Sequence, residues 1–191
     1  MQRSHEIIFA GFGGQGILSM GQILGYAAML EGKEVSWMPS YGPEMRGGTA
    51  NCIVIISPGR ISSPIVTRFD TAIVLNQPSA DKFEKRLKPN GLMMYEESTV
   101  ITPPTREDLR IVCVPAVSEA LGMGKKQVAN MIMLGAFLHV QPMVRKESVM
   151  DALSMVLPER HHHLLALNEE ALDVGKNLAS RVASGVVSSM N

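Results

Sequence analysis

Glycines recur in one short segment of the chain, whose sequence is GFGGQG. Gly11, Gly13 and Gly16 have the spacing G-x-G-x-x-G, and the segment stands between a predicted strand and a predicted helix. Glycine permits a tight turn and lets a ligand approach the backbone, while the helix that follows offers free N–H groups and a partial positive charge. The loop, with Gly14 and Gln15 inside it, is therefore a candidate site for a phosphate.

The glycine spacing alone does not define a nucleotide site. An NAD site needs an Asp or Glu about 20 residues further on, at the end of the second strand. Here that strand ends in Trp37-Met38-Pro39, and the next carboxylate is Glu44. No Gly-Lys-Ser or Gly-Lys-Thr follows the glycines, which excludes an ATP-type P-loop. NAD binding is disfavoured, and two interpretations stay open: a phosphate site and a tight turn with a structural role only.

A second segment, YGPEMRGG at residues 41–48, combines turn-forming residues with charged side chains and a tyrosine. Loops of this kind often carry function. The Arg46 guanidinium could bind a phosphate or a carboxylate with two parallel N–H groups. In the alternative interpretation, Glu44 and Arg46 only tie the loop to neighbouring backbone. The candidate residues for contact with a partner or with the mouth of an active site are Tyr41, Glu44, Met45, Arg46, Gly47 and Gly48.

The residue types that usually hold metals are few. Cys52 and Cys113 each lie in an apolar run and are predicted to be buried, reduced thiols. An iron–sulfur cluster usually takes four thiolates, so this chain cannot hold one by itself. Adjacent residues such as those at 161–163, His-His-His, do not share a helix face, and no metal site is predicted there. The sequence predicts no catalytic residue in this chain.

The composition is that of an ordinary globular domain. The 191 residues are 46% hydrophobic and 19% charged, and 18 basic side chains balance 18 acidic ones. This balance gives no reason to expect nucleic acid or an anionic membrane as partner. No apolar run reaches the length of a membrane span and no signal peptide is recognisable, so we expect a cytoplasmic protein. The 14 methionines indicate either a Met-rich core or a large subunit interface.

Strands and helices alternate over the first 115 residues, and only helices follow. This order predicts an α/β fold for a single domain of residues 1–191: a Rossmann-like, mostly parallel sheet with helices on both faces and a helical C-terminal part from about residue 116. Residues 60–66 are expected to pair back on the preceding strand as a hairpin. The predicted strands are 6–10, 35–38, 49–57, 71–76, 92–95 and 110–114, and the main predicted helices are 17–30, 80–87, 127–140, 146–157 and 162–183.

Two motifs together resemble a known family. GFGGQGI at residues 11–17 and SYGPEMRGGTANC at residues 40–52, with Ser63-Pro64 before a strand that ends in Asn76, resemble the gamma subunits of 2-oxoacid:ferredoxin oxidoreductases. The resemblance extends over about residues 5–180. The YGPEMRGG form resembles the 2-oxoglutarate or 2-oxoisovalerate type, and the pyruvate and indolepyruvate types are the nearer alternatives.

The resemblance implies a role inside a complex. Such a complex decarboxylates a 2-oxoacid on thiamine diphosphate and Mg, transfers the acyl group to coenzyme A, and passes electrons through iron–sulfur clusters to ferredoxin. The implied partners are an alpha and a beta subunit, with a ferredoxin-like delta subunit in some complexes. The glycine loop becomes a candidate phosphate or coenzyme A loop, and the isolated chain is not expected to be active. The alternative is a free-standing, Rossmann-like nucleotide-binding protein.

Overall fold

The computed structural model describes residues 4–41 and 49–183. The strands are β1 (His5–Phe12), β2 (Glu34–Tyr41), β3 (Thr49–Ser57), β4 (Phe69–Val74), β5 (Leu87–Glu96) and β6 (Arg110–Val114). The α-helices are α1 (Ile17–Leu30), α2 (Gln77–Glu84), α3 (Ala116–Gly122), α4 (Ala129–Val140), α5 (Lys146–Val156) and α6 (Leu165–Ala183). Short 3-10 helices span Lys126–Val128 and Glu159–Leu164.

The strands form one six-stranded mixed sheet in the order β2-β3-β1-β4-β5-β6. The pairs β1–β4, β4–β5 and β5–β6 are parallel, whereas β3 is antiparallel to both β1 and β2. The predicted α/β class with a helical C-terminal part is confirmed. Because β1, β4, β5 and β6 are parallel, their carboxyl ends meet at one edge of the sheet, where open α/β folds bind ligands.

The predicted hairpin between β3 and residues 60–66 is wrong. β3 pairs with β1 on one side and with β2 on the other, and residues 58–68 contain no strand. The apolar, β-branched sequence of β3 suits a position between two strands. Pro58 precedes the segment predicted as its partner and Pro64 lies inside that segment, and a proline lacks the N–H group that a strand ladder needs.

Two predicted boundaries also shift. β2 continues through Pro39 to Tyr41, although the sequence indicated irregular structure from Pro39 onward. A proline is tolerated there because β2 is an edge strand and pairs only with β3. The helix predicted at 80–87 begins earlier, at Gln77, because the Asn76 side chain accepts a hydrogen bond from Ser79 N at 2.9 Å and caps the helix.

The two faces of the sheet are covered unequally. One face packs against α1 and α3–α6 around a large core that includes Phe9, Met20, Ile132 and Phe137. The other face packs mainly against α2, with the Phe69 and Phe83 rings in edge-to-face contact at 6.0 Å. Buried methionines in both clusters agree with the Met-rich core interpretation, while Met29 and Met155 are exposed on the surface.

Candidate functional site

The glycine loop follows β1 directly and is braced by its own glutamine. Phe12 N donates a hydrogen bond to Gln15 Oε1 at 2.6 Å, and Gln15 Nε2 donates one to Leu75 O at 2.8 Å. Gln15 thus joins the carboxyl end of β1 to that of β4. Both of its amide atoms bind backbone groups of this chain, so its first role is to fix the loop between two strands.

The backbone angle and the space around a Cβ atom constrain the glycines of the loop to different degrees. Gly14 and Gly16 have φ values of 92° and 76°, in the region that disfavours side chains. A Cβ at Gly16 would collide with the Asn130 side chain, whereas a Cβ at Gly14 would meet no protein atom within 4 Å. The backbone at Gly14 is therefore open to close approach by a ligand.

Helix α1 begins at the end of this loop without a capping side chain. Gly16 is its N-cap residue and offers no side-chain hydrogen bond, and the first turn of the helix contains no acidic residue. The first N–H groups of a helix have no partner within the helix. Together with the helix dipole, these donors make the loop suitable for an anion.

A cleft of about 450 Å³ opens between the glycine loop and the other strand ends. Gly13–Gln15 and Leu75 line one side, and Ser98, Thr99 and Val117 line the side that follows β5 and β6. Lys126 and Gln127 complete the rim, so an exposed, positively charged side chain lines the same cleft as the glycine loop. The described part of the chain thus combines backbone donors and a cation in one cleft.

Tyr41 lies beside the same loop. It lines a second cleft of about 290 Å³ together with Phe12–Gly14, Gly16–Ser19 and Ala50, and it is 65% exposed. Tyr41 and Gly11 both pair with Ala50, so the residues that flank segment 42–48 lie at the end of β1. The predicted residues Glu44, Met45, Arg46, Gly47 and Gly48 lie outside the described residues.

A buried carboxylate next to the cleft was not predicted from the sequence. Glu96, the last residue of β5, is 0% exposed. Its Oε2 accepts hydrogen bonds from Ser98 Oγ at 2.8 Å and Thr99 Oγ1 at 2.9 Å, and its Oε1 accepts one from Val117 N at 3.1 Å. The only signal in the sequence is a charged residue at the end of the apolar strand, before Ser98-Thr99. Lys126 was likewise missed, because a lysine at a helix entry resembles a solvated surface residue.

The two cysteines differ in burial. Cys52 is fully buried as predicted, and burial raises the pKa of its thiol to about 12. Cys113 is half-buried, and burial raises the pKa of its thiol as well. Both are free thiols, and their raised pKa values disfavour the thiolate form that binds metals and acts as a nucleophile.

The three consecutive histidines lie in the 3-10 helix before α6. His162 Nε2 lies 3.1 Å from Ser154 O and 3.0 Å from Leu157 O, and His163 Nδ1 lies 3.0 Å from Arg160 O. These contacts join the end of α5 to the start of α6. Within residues 4–41 and 49–183, no group of three or more His, Cys, Asp and Glu side chains is arranged to hold a metal ion.

The described helices also bear on membrane topology. None of them combines the length and the apolar character that crossing a lipid bilayer would require.

Comparison with known protein families matches residues 6–178 to the model described as pyruvate ferredoxin/flavodoxin oxidoreductase. The chain is 37% identical over 184 residues to the ketoisovalerate oxidoreductase subunit VorA of Methanothermobacter marburgensis. This match covers 96% of the chain but only 38% of that relative, so the chain spans little more than a third of its length. It is also 37% identical over 178 residues to the 2-oxoglutarate synthase subunit KorC of Methanocaldococcus jannaschii, covering 91% of the chain and 95% of KorC.

Solved structures show the same likeness. The gamma subunit of a keto/oxoacid ferredoxin oxidoreductase from Geobacter sulfurreducens superposes with a TM-score of 0.80 at 31% identity, covering 93% of this chain and 97% of that one. A 2-oxoglutarate:ferredoxin oxidoreductase from Magnetococcus marinus, with 2-oxoglutarate, coenzyme A and succinyl-CoA bound, gives a TM-score of 0.85 at 26% identity. That match covers 94% of this chain and 32% of the larger one.

Proposed function

The chain belongs to the pyruvate ferredoxin/flavodoxin oxidoreductase family, and from this premise we propose that it is the gamma-type subunit of a 2-oxoacid:ferredoxin oxidoreductase complex. The complex would convert a 2-oxoacid to an acyl-CoA and reduce ferredoxin. The observation that carries this proposal is the likeness in sequence and fold to a gamma subunit over more than nine-tenths of the chain.

The substrate we propose is 2-oxoisovalerate or 2-oxoglutarate, with pyruvate as the alternative. The names of two relatives with 37% identity, one a ketoisovalerate oxidoreductase subunit and one a 2-oxoglutarate synthase subunit, support the first two acids. A pyruvate synthase subunit from Methanothermobacter marburgensis is less similar, at 29% identity. Turnover of the purified complex with each of the three acids distinguishes these substrates directly.

The division of labour within the complex follows from what this chain contains. Two cysteines cannot supply the four thiolates of a cluster. We therefore assign the iron–sulfur clusters to partner subunits of beta or delta type. From the family resemblance we also assign thiamine diphosphate and Mg to the alpha and beta partners, and we propose that the complex lies in the cytoplasm. The native protein should purify with two larger subunits, and a native mass equal to that of the chain alone would contradict the proposal.

We assign to this chain a share in binding coenzyme A, at the cleft beside the glycine loop. Coenzyme A brings phosphates, and the cleft offers two features that fit them: the open backbone at Gly14 and the Lys126 side chain on the rim. The uncapped first turn of α1 lies in the adjoining second cleft, which shares Gly13 and Gly14 with the first. These residues would hold and orient the phosphate end of the cofactor. The coenzyme A bound in the related Magnetococcus marinus enzyme supports the choice of this ligand over other phosphates.

Replacing Lys126 by Met tests this assignment. A hydrogen bond to a charged group contributes about 1.5–3 kcal/mol, so coenzyme A affinity should fall about 10- to 100-fold when the ammonium group is removed. Isothermal titration of the full chain and of the complex measures this change. Lys125→Met is the matched control, because Lys125 is also exposed but does not line the cleft. An equal effect of both substitutions would contradict a specific contact, and micromolar binding of NAD would favour the free-standing nucleotide-binding protein.

A further inference from the structure

We infer that Glu96 is a positioning residue that sets the hydrogen-bonding polarity of one wall of the cleft. It does so by holding the hydroxyl protons of Ser98 and Thr99 on the side away from the ligand. This inference rests on the proposed ligand role of the cleft and goes beyond it, because it specifies which chemical groups the second wall recognises.

The geometry around Glu96 carries the inference. The carboxylate is fully buried and receives three hydrogen bonds, from Ser98 Oγ and Thr99 Oγ1 at 2.8 and 2.9 Å and from Val117 N at 3.1 Å. Within residues 4–41 and 49–183, no lysine or arginine forms an ion pair with it. Neutral donors alone thus satisfy this carboxylate, and two of the three are hydroxyl groups that also line the cleft.

The direction of the hydroxyl protons follows from the chemistry of the acceptor. A carboxylate only accepts hydrogen bonds, whereas a hydroxyl group has one proton and two lone pairs. Both protons must therefore point at Glu96. The Ser98 and Thr99 oxygens are left with lone pairs, so the wall that they form accepts hydrogen bonds from a ligand.

The opposite side of the cleft has the complementary character. The backbone of Gly13 and Gly14 and the Lys126 side chain line that side, and N–H and ammonium groups only donate hydrogen bonds. The first turn of α1, with its free N–H groups, lines the adjoining second cleft, which shares Gly13 and Gly14 with this one. The cleft is thus divided into a donor side for an anion and an acceptor side for N–H or O–H groups. The ligand class that fits both sides is a phosphate ester that also carries hydrogen-bond donors, and inorganic phosphates fit only the first side.

A purely structural role for Glu96 is the competing explanation, because its contact with Val117 N also holds the start of α3. Glu96→Gln separates the two roles. The glutamine amide can still accept from Val117 N, but its NH₂ group donates to the two hydroxyl oxygens. Their protons then turn toward the cleft, and the acceptor wall becomes a donor wall with little change in shape.

The experiment is isothermal titration of the full chain with two probes, coenzyme A and inorganic pyrophosphate. For Glu96→Gln, coenzyme A affinity should fall about tenfold, as expected for one lost hydrogen bond. Pyrophosphate affinity should stay equal or rise, because a negative charge near the anion site is removed. Glu97→Gln, which removes the same charge from the exposed neighbouring residue, should leave coenzyme A affinity within about twofold.

The outcomes separate the inference from the proposal that it rests on. If wild-type chain binds neither probe, the proposed ligand role of the cleft fails and the inference fails with it. If wild-type chain binds both and Glu96→Gln weakens both equally, or neither, Glu96 has only a structural role or none, and the inference alone is overturned. If Glu96→Gln does not fold, Thr99→Val tests the same inference. It removes one hydrogen-bond acceptor from the cleft, and it should lower the affinity for coenzyme A but not the affinity for pyrophosphate.

Discussion

The carboxylates at the two edges of the parallel strands have opposite kinds of partner. At the amino edge, Lys88 Nζ bridges Asp70 at 2.8 Å and Glu6, while Glu6 N donates to Asp70 Oδ2 at 2.9 Å. These three residues, from β5, β4 and β1, form a cluster in which one ammonium group is shared by two carboxylates. At the carboxyl edge, the donors to Glu96 among the residues that the structure describes are hydroxyl and backbone groups.

This difference indicates that the amino-edge cluster stabilises the fold, whereas the carboxyl edge binds a ligand. The amino-edge cluster uses its charges on one another and ties three neighbouring strands together. The carboxyl edge keeps the open backbone at Gly14, the Lys126 side chain and two hydroxyl oxygens available in one cleft, and the first turn of α1 available in the adjoining cleft. Substitutions at the amino edge should therefore change folding without changing ligand binding, and substitutions at the carboxyl edge should do the reverse.

The largest effect on function is expected from Arg46, which lies in sequence between β2 and β3. The end of β2 and the start of β3 lie at the carboxyl edge. We predict that Arg46→Ala weakens binding or coenzyme-A-dependent turnover of the assembled complex by about 2–5 kcal/mol, because its partner charge would be left unpaired. Melting of the isolated subunit should change by less than about 0.5 kcal/mol. Arg46→Lys should restore only part of the turnover, since lysine cannot make a two-pronged contact. Full turnover by Arg46→Ala would contradict the functional interpretation of this loop.

The largest effect on stability is expected at the amino edge. Lys88→Met leaves Glu6 and Asp70 facing each other with side chains only 17% exposed. Breaking a buried pair costs about 3–5 kcal/mol, and partial exposure reduces the expected loss here to about 2–3 kcal/mol. Urea unfolding measures the loss, and coenzyme A affinity should stay unchanged. Lys85→Met is the control: Lys85 is exposed and lies in the connection between α2 and β5. This substitution should change stability by less than about 0.5 kcal/mol.

Acid should weaken the amino-edge cluster of Glu6, Asp70 and Lys88. Burial would raise the pKa of Asp70, but hydrogen bonds with Glu6 and Lys88 outweigh it and lower the pKa from 3.8 to about 2. A lowered folded-state pKa contributes stability that is present above pH 4 and is lost as the pH falls toward 2. The loss assigned to this group is about 1–2 kcal/mol. Unfolding free energies at pH 5, 4, 3 and 2 should show a shallower decline for Asp70→Asn, and parallel curves would contradict the assignment.

Features that depend on local spacing could be predicted from the sequence, whereas features that depend on distant strand pairing could not. The glycine loop and helix α1 follow from local spacing, and their boundaries agree with the structure. The position of β3 between β1 and β2 depends on pairing with strands distant in sequence, so its apolar pattern could equally suit a local hairpin. Pro39 misled the prediction of β2 because the position of a strand at the sheet edge is not encoded locally.

Glu96 was missed for a related reason. A carboxylate after an apolar strand normally indicates a strand end in solvent. Only the parallel order of β5 and β6 brings the start of α3, with Val117, against the residues that follow β5. Gln15 was predicted as part of a ligand loop, yet its contact with Leu75 O also arises from the pairing of β1 with β4.

A smaller loss of stability than at Lys88 gives the sharpest contrast, since two glycines both have a positive φ but only one lies at the cleft. Gly14 and Gly32 have φ values of 92° and 75°, and a Cβ at either would meet no protein atom within 4 Å. Alanine at a positive φ costs about 1 kcal/mol, so Gly14→Ala and Gly32→Ala should lower the free energy of unfolding by similar amounts. Gly32 ends α1 at the amino edge, far from the cleft that Gly14 lines.

Ligand binding should separate the two variants. At Gly14 the added methyl group stands where a phosphate would approach the backbone, so coenzyme A affinity should fall about tenfold or more, as for loss of a charged hydrogen bond. At Gly32 the same backbone strain has no ligand nearby, and the affinity should match that of the wild type. Urea unfolding and isothermal titration on both variants measure the two quantities side by side. If Gly32→Ala weakens coenzyme A as much as Gly14→Ala does, the loss reflects strain transmitted along α1, and the two edges are not functionally distinct.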